Sequence, residues 1–453
     1  MPDIATLSAI RFGTGLTPDG VGPVGAEALL ASLCGTDQLM ARFPEETFHV
    51  RAAKARDFQL ARRARRNGGE EAEAAFREVR RAMQTDMVRQ LGKTIARGVA
   101  DPGGMRERLV WFWADHFTTA GTRGPMRGSI TAYIEEAIRP HVTGRFGNML
   151  EVAVLHPVML LYLDQDHSVG PNSRFGLRQG RGLNENLARE VLELHTLGTG
   201  YTQHDVTEFA ELLTGLSTTR EGEFAFRAAR AEPGPETVLG KSYGTWRPAR
   251  LDSIQKALRD LALRPETARH LSLKLARHFL TDTPPEEVLV KMETAYLESG
   301  GDLLQTYGAM LAHPASWQPD LLKAKSPLLF VTSALKALGV PPEAVAVADP
   351  RDLRRYVFRP MIVMGQHWQG APGPDGFPDS LEGWIRPQTL AARIGWAMLA
   401  PDQLGLDLPD PRVFVRHALA DAASPEVIWA AARAETRTEG IGLVLASSEF
   451  QRR

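Results

Sequence analysis

The sequence predicts a mainly α, large multi-helix globular fold with one small β-hairpin. Apolar residues recur at steps of three and four along most of the 453-residue chain. Caps, prolines and glycines fall between those stretches, where helices should start and stop. Only one short stretch, Phe224, Phe226 and Ala228, alternates with a period of two.

The elements follow in order. Ala72, Ala75, Phe76, Val79, Ala82, Met83, Met87, Leu91 and Ile95 make one long amphipathic stripe. Leu109 to His116 is a second helix, heavy with Trp111, Phe112 and Trp113, and Ile130 to Arg139 is a third, stopped by Pro140. Phe146 to Leu155 and Val158 to Leu163 break at His156-Pro157, because a residue before proline avoids the α region. Leu183 to Leu197 is helical and ends at Gly198. Thr202 stands three before Asp205, a capping box with Asp in the Glu place. The hairpin turns at Glu232-Pro233-Gly234-Pro235 and leads out at Val238-Leu239. Helices resume at 252–263, 266–280, 285–298, 303–311 and 327–338, and again from Gln388 onward. Gly370 to Pro378 is a loop by its glycines and prolines. The expected organisation is a helical part over 1–216, the hairpin insertion at 217–250 and a second helical part over 251–453, the two parts forming one compact unit.

Hydrophobic and charged fractions of 43% and 24% are those of a globular chain, and a net charge of −1 offers no field for nucleic acid. The basic run Arg62 to Arg66 reads as a solvated helix face. Cys34 is the sole cysteine, so an intramolecular disulfide and a cysteine-rich zinc site are excluded. Between Leu33 and Gly35 it reads as a small buried hydrophobe. No run of about 18 apolar residues occurs, so no membrane span is expected, and Met1 to Arg11 has no secretory pattern. The default location is cytoplasmic. Gly240-Lys241-Ser242 lacks the spacing of a phosphate loop, and no nucleotide cofactor is expected. Asp164 to Ser168 opens like a calcium loop, but Val169 and Phe175 stand where glycine and glutamate are required.

Polar groups concentrate between Asp115 and Glu211. On an ideal helical wheel Asn186, Glu190 and Glu193 share one face, and Asn184, Ala188, Val191 and His195 share another. Two carboxylates one turn apart beside an imidazole suit a divalent metal or a proton-transfer pair. The proposed catalytic groups are Glu190, Glu193, His195 and Arg189. Asn184, Asn186 and Asp115 would orient substrate. His116, His156, His195, Glu190, Glu193 and Asp164 would be the metal ligands. The competing reading is structural: Glu185 and Arg189 form a surface pair, and His195 sits at a helix C-terminus that favours it through the dipole. His270, Lys274 and His278 fall at i, i+4 and i+8 and read as a solvated stripe, an anion contact being the alternative. Gly365-Gln366-His367-Trp368 would frame a pocket wall, or pack with Trp384 as a loop.

Several stretches carry a resemblance: Arg11-Phe12-Gly13, 113–118, 156–164, 184–198, 201–206, Leu213-Thr214-Gly215 and Pro372-Gly373-Pro374-Asp375-Gly376. In that order they resemble the bacterial family called domain of unknown function 1800. The resemblance implies a helical fold and no defined activity. Members are often paired with a second family similar to sulfatases and alkaline phosphatases. It implies such a partner here, and periplasmic export by riding with it. The leading expectation is a metal-dependent hydrolase or oxidoreductase with a His/Glu site in a helical cleft. The alternative is a non-catalytic partner or assembly protein.

Overall fold

The computed structural model describes the chain except residues 1, 21, 122–127, 181, 246–249 and 406. The expected insertion at 217–250 thus has its last part, 246–249, outside the described residues.

The fold is mainly α. The long helix spans Glu70–Ala100, with Glu70, Glu71 and Glu73 in its first turn, where the helix dipole favours carboxylates. Only its second half is buried, through Val88, Leu91 and Ile95. The first half has one buried anchor, Phe76, which meets Phe58 of helix Phe48–Asn67 at a ring separation of 5.4 Å. The capping box at Thr202 and Asp205 forms, and Gly198 adopts φ 73° after its helix. His156 caps helix Pro157–Tyr162 by accepting from the Val158 amide. Arg62 to Arg66 are exposed, as a solvated helix face should be.

Four corrections emerge. Among the described residues there are two small antiparallel hairpins. β1 (Leu216–Thr218) pairs with β2 (Phe224–Phe226), and β3 (Gly234–Val238) pairs with β4 (Lys241–Thr245). The second turns at Leu239-Gly240, both at positive φ, a geometry whose twist suits a two-residue hairpin. The expected turn at 232–235 instead leads into β3. Pro140 does not end its helix, which continues as a 3₁₀ turn over Arg139–His141. Cys34 is exposed rather than buried. Finally, the helix expected over 183–197 is α only at Asn186–Glu190 and widens to a π turn over Val191–Thr196. A π turn adds a residue per turn, so a wheel drawn at 100° fails beyond Glu190.

The apolar core has two main clusters. One gathers residues from Phe12 to Leu311, including Trp113, Phe146, Phe209 and Val238 of β3. The other joins Val88, Leu91 and Ile95 to Phe330, Trp396, Phe414 and Leu445. Trp111 packs against both. Beside this seam lies a buried ion pair. Arg139 donates to both Glu107 oxygens at 2.6 and 2.8 Å, and to Asp37 and Glu135 at 3.0 and 3.1 Å. Burial works against the Arg139 charge, yet its carboxylate partners outweigh it and raise its pKa. Arg139→Ala strands a fully buried carboxylate, so it should lower unfolding stability by about 3–5 kcal/mol in urea titration. A loss below about 1 kcal/mol would show that the pair is dispensable.

Candidate functional site

A cavity of about 550 Å³ opens at the seam between the clusters. Its lining comes chiefly from helix Met105–His116 with its tail to Thr119, helix Pro265–Phe279, the start of helix Pro327–Ala337 and the chain from Gln366 to Trp384, with the long helix adding Thr94 and Arg97 and residues 130–139 closing one side. Trp111, Phe112, Trp368, Phe377 and Trp384 supply apolar wall. Gln366 and Trp368 therefore do frame a pocket.

Asp115 ends the aromatic helix and faces this space. Its Oδ1 accepts the Phe377 amide at 3.0 Å. That contact is possible because residue 376 is glycine. A Cβ there would lie 2.8 Å from the Asp115 carboxylate, on a backbone at φ +84°. Burial raises the Asp115 pKa to about 7, the Phe377 amide and Lys274 lowering it and Asp379 and Asp375 adding to the rise.

The stripe His270, Lys274 and His278 is the clearest reversal. It faces inward. Burial pushes the Lys274 ammonium down, against the pull of Asp115, Asp379 and Asp375. Lys274 lines the cavity and has no hydrogen bond or ion pair with the described residues. His270 donates Nε2–H to the Leu194 carbonyl at 3.1 Å, and burial lowers its pKa to about 4. His116 donates Nε2–H to the His195 carbonyl at 3.2 Å. The His116 ring lies 5.9 Å from His195 and 6.4 Å from His270. Burial first, and the Lys274 charge second, keep all three imidazoles neutral. The Nδ1 atoms of His116 and His195 are buried without a hydrogen-bond partner among the described residues.

At the far end of the cavity His278 is locked. Arg108 Nη2 donates to its Nε2 at 3.1 Å, so Nδ1 carries the proton and donates to Asp379 at 3.1 Å. Burial lowers the His278 pKa to about 3, and His278, Arg453 and Lys323 hold Asp379 well below the usual carboxylate range.

The expected site residues divide accordingly. His116 and His195 come together, with His270 as an unforeseen third. Asp115 lines the cavity, although it holds a loop amide there. The others lie elsewhere. His156 packs on Phe48 and Tyr133 and contacts Glu136 at 3.4 Å. Glu193 is exposed and accepts from Tyr201 at 3.0 Å, because the π turn rotates it outward. Arg189 stays in a surface network with Glu185 and Gln203. Asn184 spends its amide on the Leu163 and Asp164 carbonyls, and its oxygen caps Asn186, which is exposed. Asp164 is half-buried in left-handed backbone at φ 54°. Glu190 is half-buried, its pKa raised by burial, then Glu193, with Asp375 adding to the rise. Among the described residues no three His, Cys, Asp or Glu side chains gather into a metal-ligand group. The six-residue ligand set is therefore not assembled, because its members ride on separate packing faces. Sequence reasoning missed Arg108 and Asp379, and weighed Lys274 only within a solvated stripe or an anion contact. Their signal was charge at core-facing positions, here the i, i+4, i+8 stripe.

The family model described as "Protein of unknown function (DUF1800)" matches residues 8–452. No curated protein and no solved structure matches the chain. No helix among the described residues is long and apolar enough to cross a membrane.

The shifted carboxyl has a consequence for stability. Asp115 titrates near 7 in the fold against an ordinary value of 3.8. Between those values the folded chain keeps a proton that the unfolded chain has lost, so this group's contribution falls as pH rises. The histidines act oppositely: their folded pKa values lie below 6.5, so their contribution grows as pH rises to that value. Comparing the natural chain with Asp115→Asn isolates the carboxyl. The variant should gain about 3 kcal/mol on the natural chain between pH 4 and pH 8, read by urea unfolding at each pH. A difference that stays flat with pH would refute the shift.

Proposed function

This chain belongs to the DUF1800 family of proteins of unknown function, and from that premise we propose that it is an enzyme using Asp115 for proton transfer inside the cavity. The observation that carries the reading is a buried carboxyl group raised toward neutral pH on the wall of a cavity that aromatic side chains partly line. A general acid or base works best when its pKa lies near the operating pH, and such tuning by burial is common at active sites. The volume of about 550 Å³ suits a small organic substrate.

The residues divide the work by their geometry. Asp115 gives or takes the proton. Phe377 N–H fixes the carboxylate orientation through Oδ1 and leaves Oδ2 to the substrate. Lys274 offers the cavity a cation or an amine that no described residue hydrogen-bonds. His278 serves as a strut, since Arg108 and Asp379 occupy both its nitrogens. Burial of Asp115 and Lys274 takes both groups out of bulk water and so strengthens their charge interaction.

The test is turnover of a metabolite extract followed by untargeted mass spectrometry. The purified natural chain should deplete at least one metabolite and build up a product. Asp115→Asn should slow that conversion by about 10²–10⁴-fold while retaining a cooperative melt. No change in the extract, or equal turnover by the variant, would overturn the proposal. Gly376→Ala should slow the same conversion, because its methyl group displaces the loop from Asp115.

A further inference from the structure

A cavity that holds a carboxyl group also holds an amine that no described residue hydrogen-bonds, although Asp115, Asp379 and Asp375 act on its charge. Lys274 sits one turn after His270 and one turn before His278 on helix Pro265–Phe279. Its neighbours on that face are both committed, His270 to the Leu194 carbonyl and His278 to Asp379 and Arg108. Of the other buried lysines of this region, Lys325 lies over the Phe450 ring at 4.0 Å and does not line the cavity, and two are hydrogen-bonded. Lys323 donates to Asp282 at 2.5 Å, and Lys336 to Thr14 at 2.9 Å and to the Asp101 carbonyl at 2.6 Å. Lys274 makes no such bond with the described residues, and unlike Lys325 its side chain borders the open volume. The three imidazoles behind it are neutral and held by backbone or apolar packing, so they offer its charge no counter-ion.

We propose that Lys274 is the nucleophile of this cavity, attacking a small aldehyde or ketone to form an imine. The inference rests on the acid–base reading of Asp115 and names the substrate class for it. Burial supports the step by shifting Lys274 toward the free amine, the form with a lone pair.

The step balances with groups already present. The Nζ lone pair attacks the carbonyl carbon, a C–N bond forms and the C=O π pair moves to oxygen. The Asp115 carboxyl protonates that oxygen. The nitrogen, now cationic, returns a proton to the Asp115 carboxylate. Asp115 then protonates the hydroxyl, which leaves as water while the nitrogen pair closes the C=N bond. The net change consumes carbonyl, amine and carboxyl, and yields protonated imine, carboxylate and water. The product pair is an iminium beside a carboxylate, a favourable arrangement inside apolar walls. No oxidant or reductant enters.

Reductive trapping tests this on the full chain. The protein is incubated with glyoxylate, pyruvate or acetaldehyde plus cyanoborohydride, and labelled lysines are mapped by peptide mass spectrometry. With at least one probe, Lys274 should label saturably and at least about tenfold faster than the exposed Lys241 and Lys291. Lys274→Arg keeps the cation and should abolish the cavity label and the turnover of metabolite extract together. Asp115→Asn should slow labelling at Lys274 but not at Lys241. Labelling of Lys274 no faster than the surface lysines with all three probes overturns the inference. So does full turnover by Lys274→Arg, and in that case Asp115-dependent turnover would leave the acid–base reading standing.

Discussion

Arg108 holds the molecule together around its cavity. It is buried on helix Met105–His116 and donates to the Arg11 and Gly13 carbonyls at 3.2 and 3.0 Å. Its remaining arm reaches His278, and through that ring Asp379. Asp379 in turn receives Arg453 at 3.4 Å and meets Lys323 at 3.7 Å. One buried guanidinium thus links the N-terminal segment, two helices, the loop over the cavity and the last residue. Burial pushes its pKa well down, with Arg453 acting in the same direction and Asp379 against it. A cation placed there without a carboxylate of its own depends on carbonyl dipoles and on the distant charge of Asp379.

That arrangement explains the character of the cavity. Cations crowd its far end, and Asp379 with Asp282 neutralises them there. Nearer the aromatic helix the balance inverts. Asp375 acts on both Asp115 and Glu190, while Asp115 and Lys274 act on each other. Each group is pushed toward neutrality by burial and toward charge by the other. A carboxyl and an amine in that relation exchange protons with small changes in free energy, which is what acid–base chemistry at neutral pH requires.

Local features were legible wherever neighbours in sequence decide the outcome. The Thr202 capping box, the His156-Pro157 break, the αL glycine at 198 and the exposed run Arg62 to Arg66 each follow from a few adjacent residues. The site was legible only in part. Asp115 and His116 could be picked out because the aromatic helix placed them at its end. The wheel that grouped Glu190 with Glu193 failed at the π turn over Val191–Thr196, whose extra residue shows no mark in the residue pattern. The hairpins slipped by one turn because Phe224–Phe226 finds its partner upstream at Leu216–Thr218.

Amino-acid order by itself determined the helical class, the caps and stops, the glycine-rich loop and the family likeness. Those rest on backbone propensity and periodicity, which act over a few residues. Only the tertiary structure decided which charges are sealed from water and which are left without partners. His270, Lys274 and His278 look the same on a solvated helix as on a buried one. What distinguishes them is the arrival of Leu194, Arg108 and Asp379 from segments about 75 to 170 residues away in the chain. Desolvation is a property of that packing, and so is the chemistry it makes available.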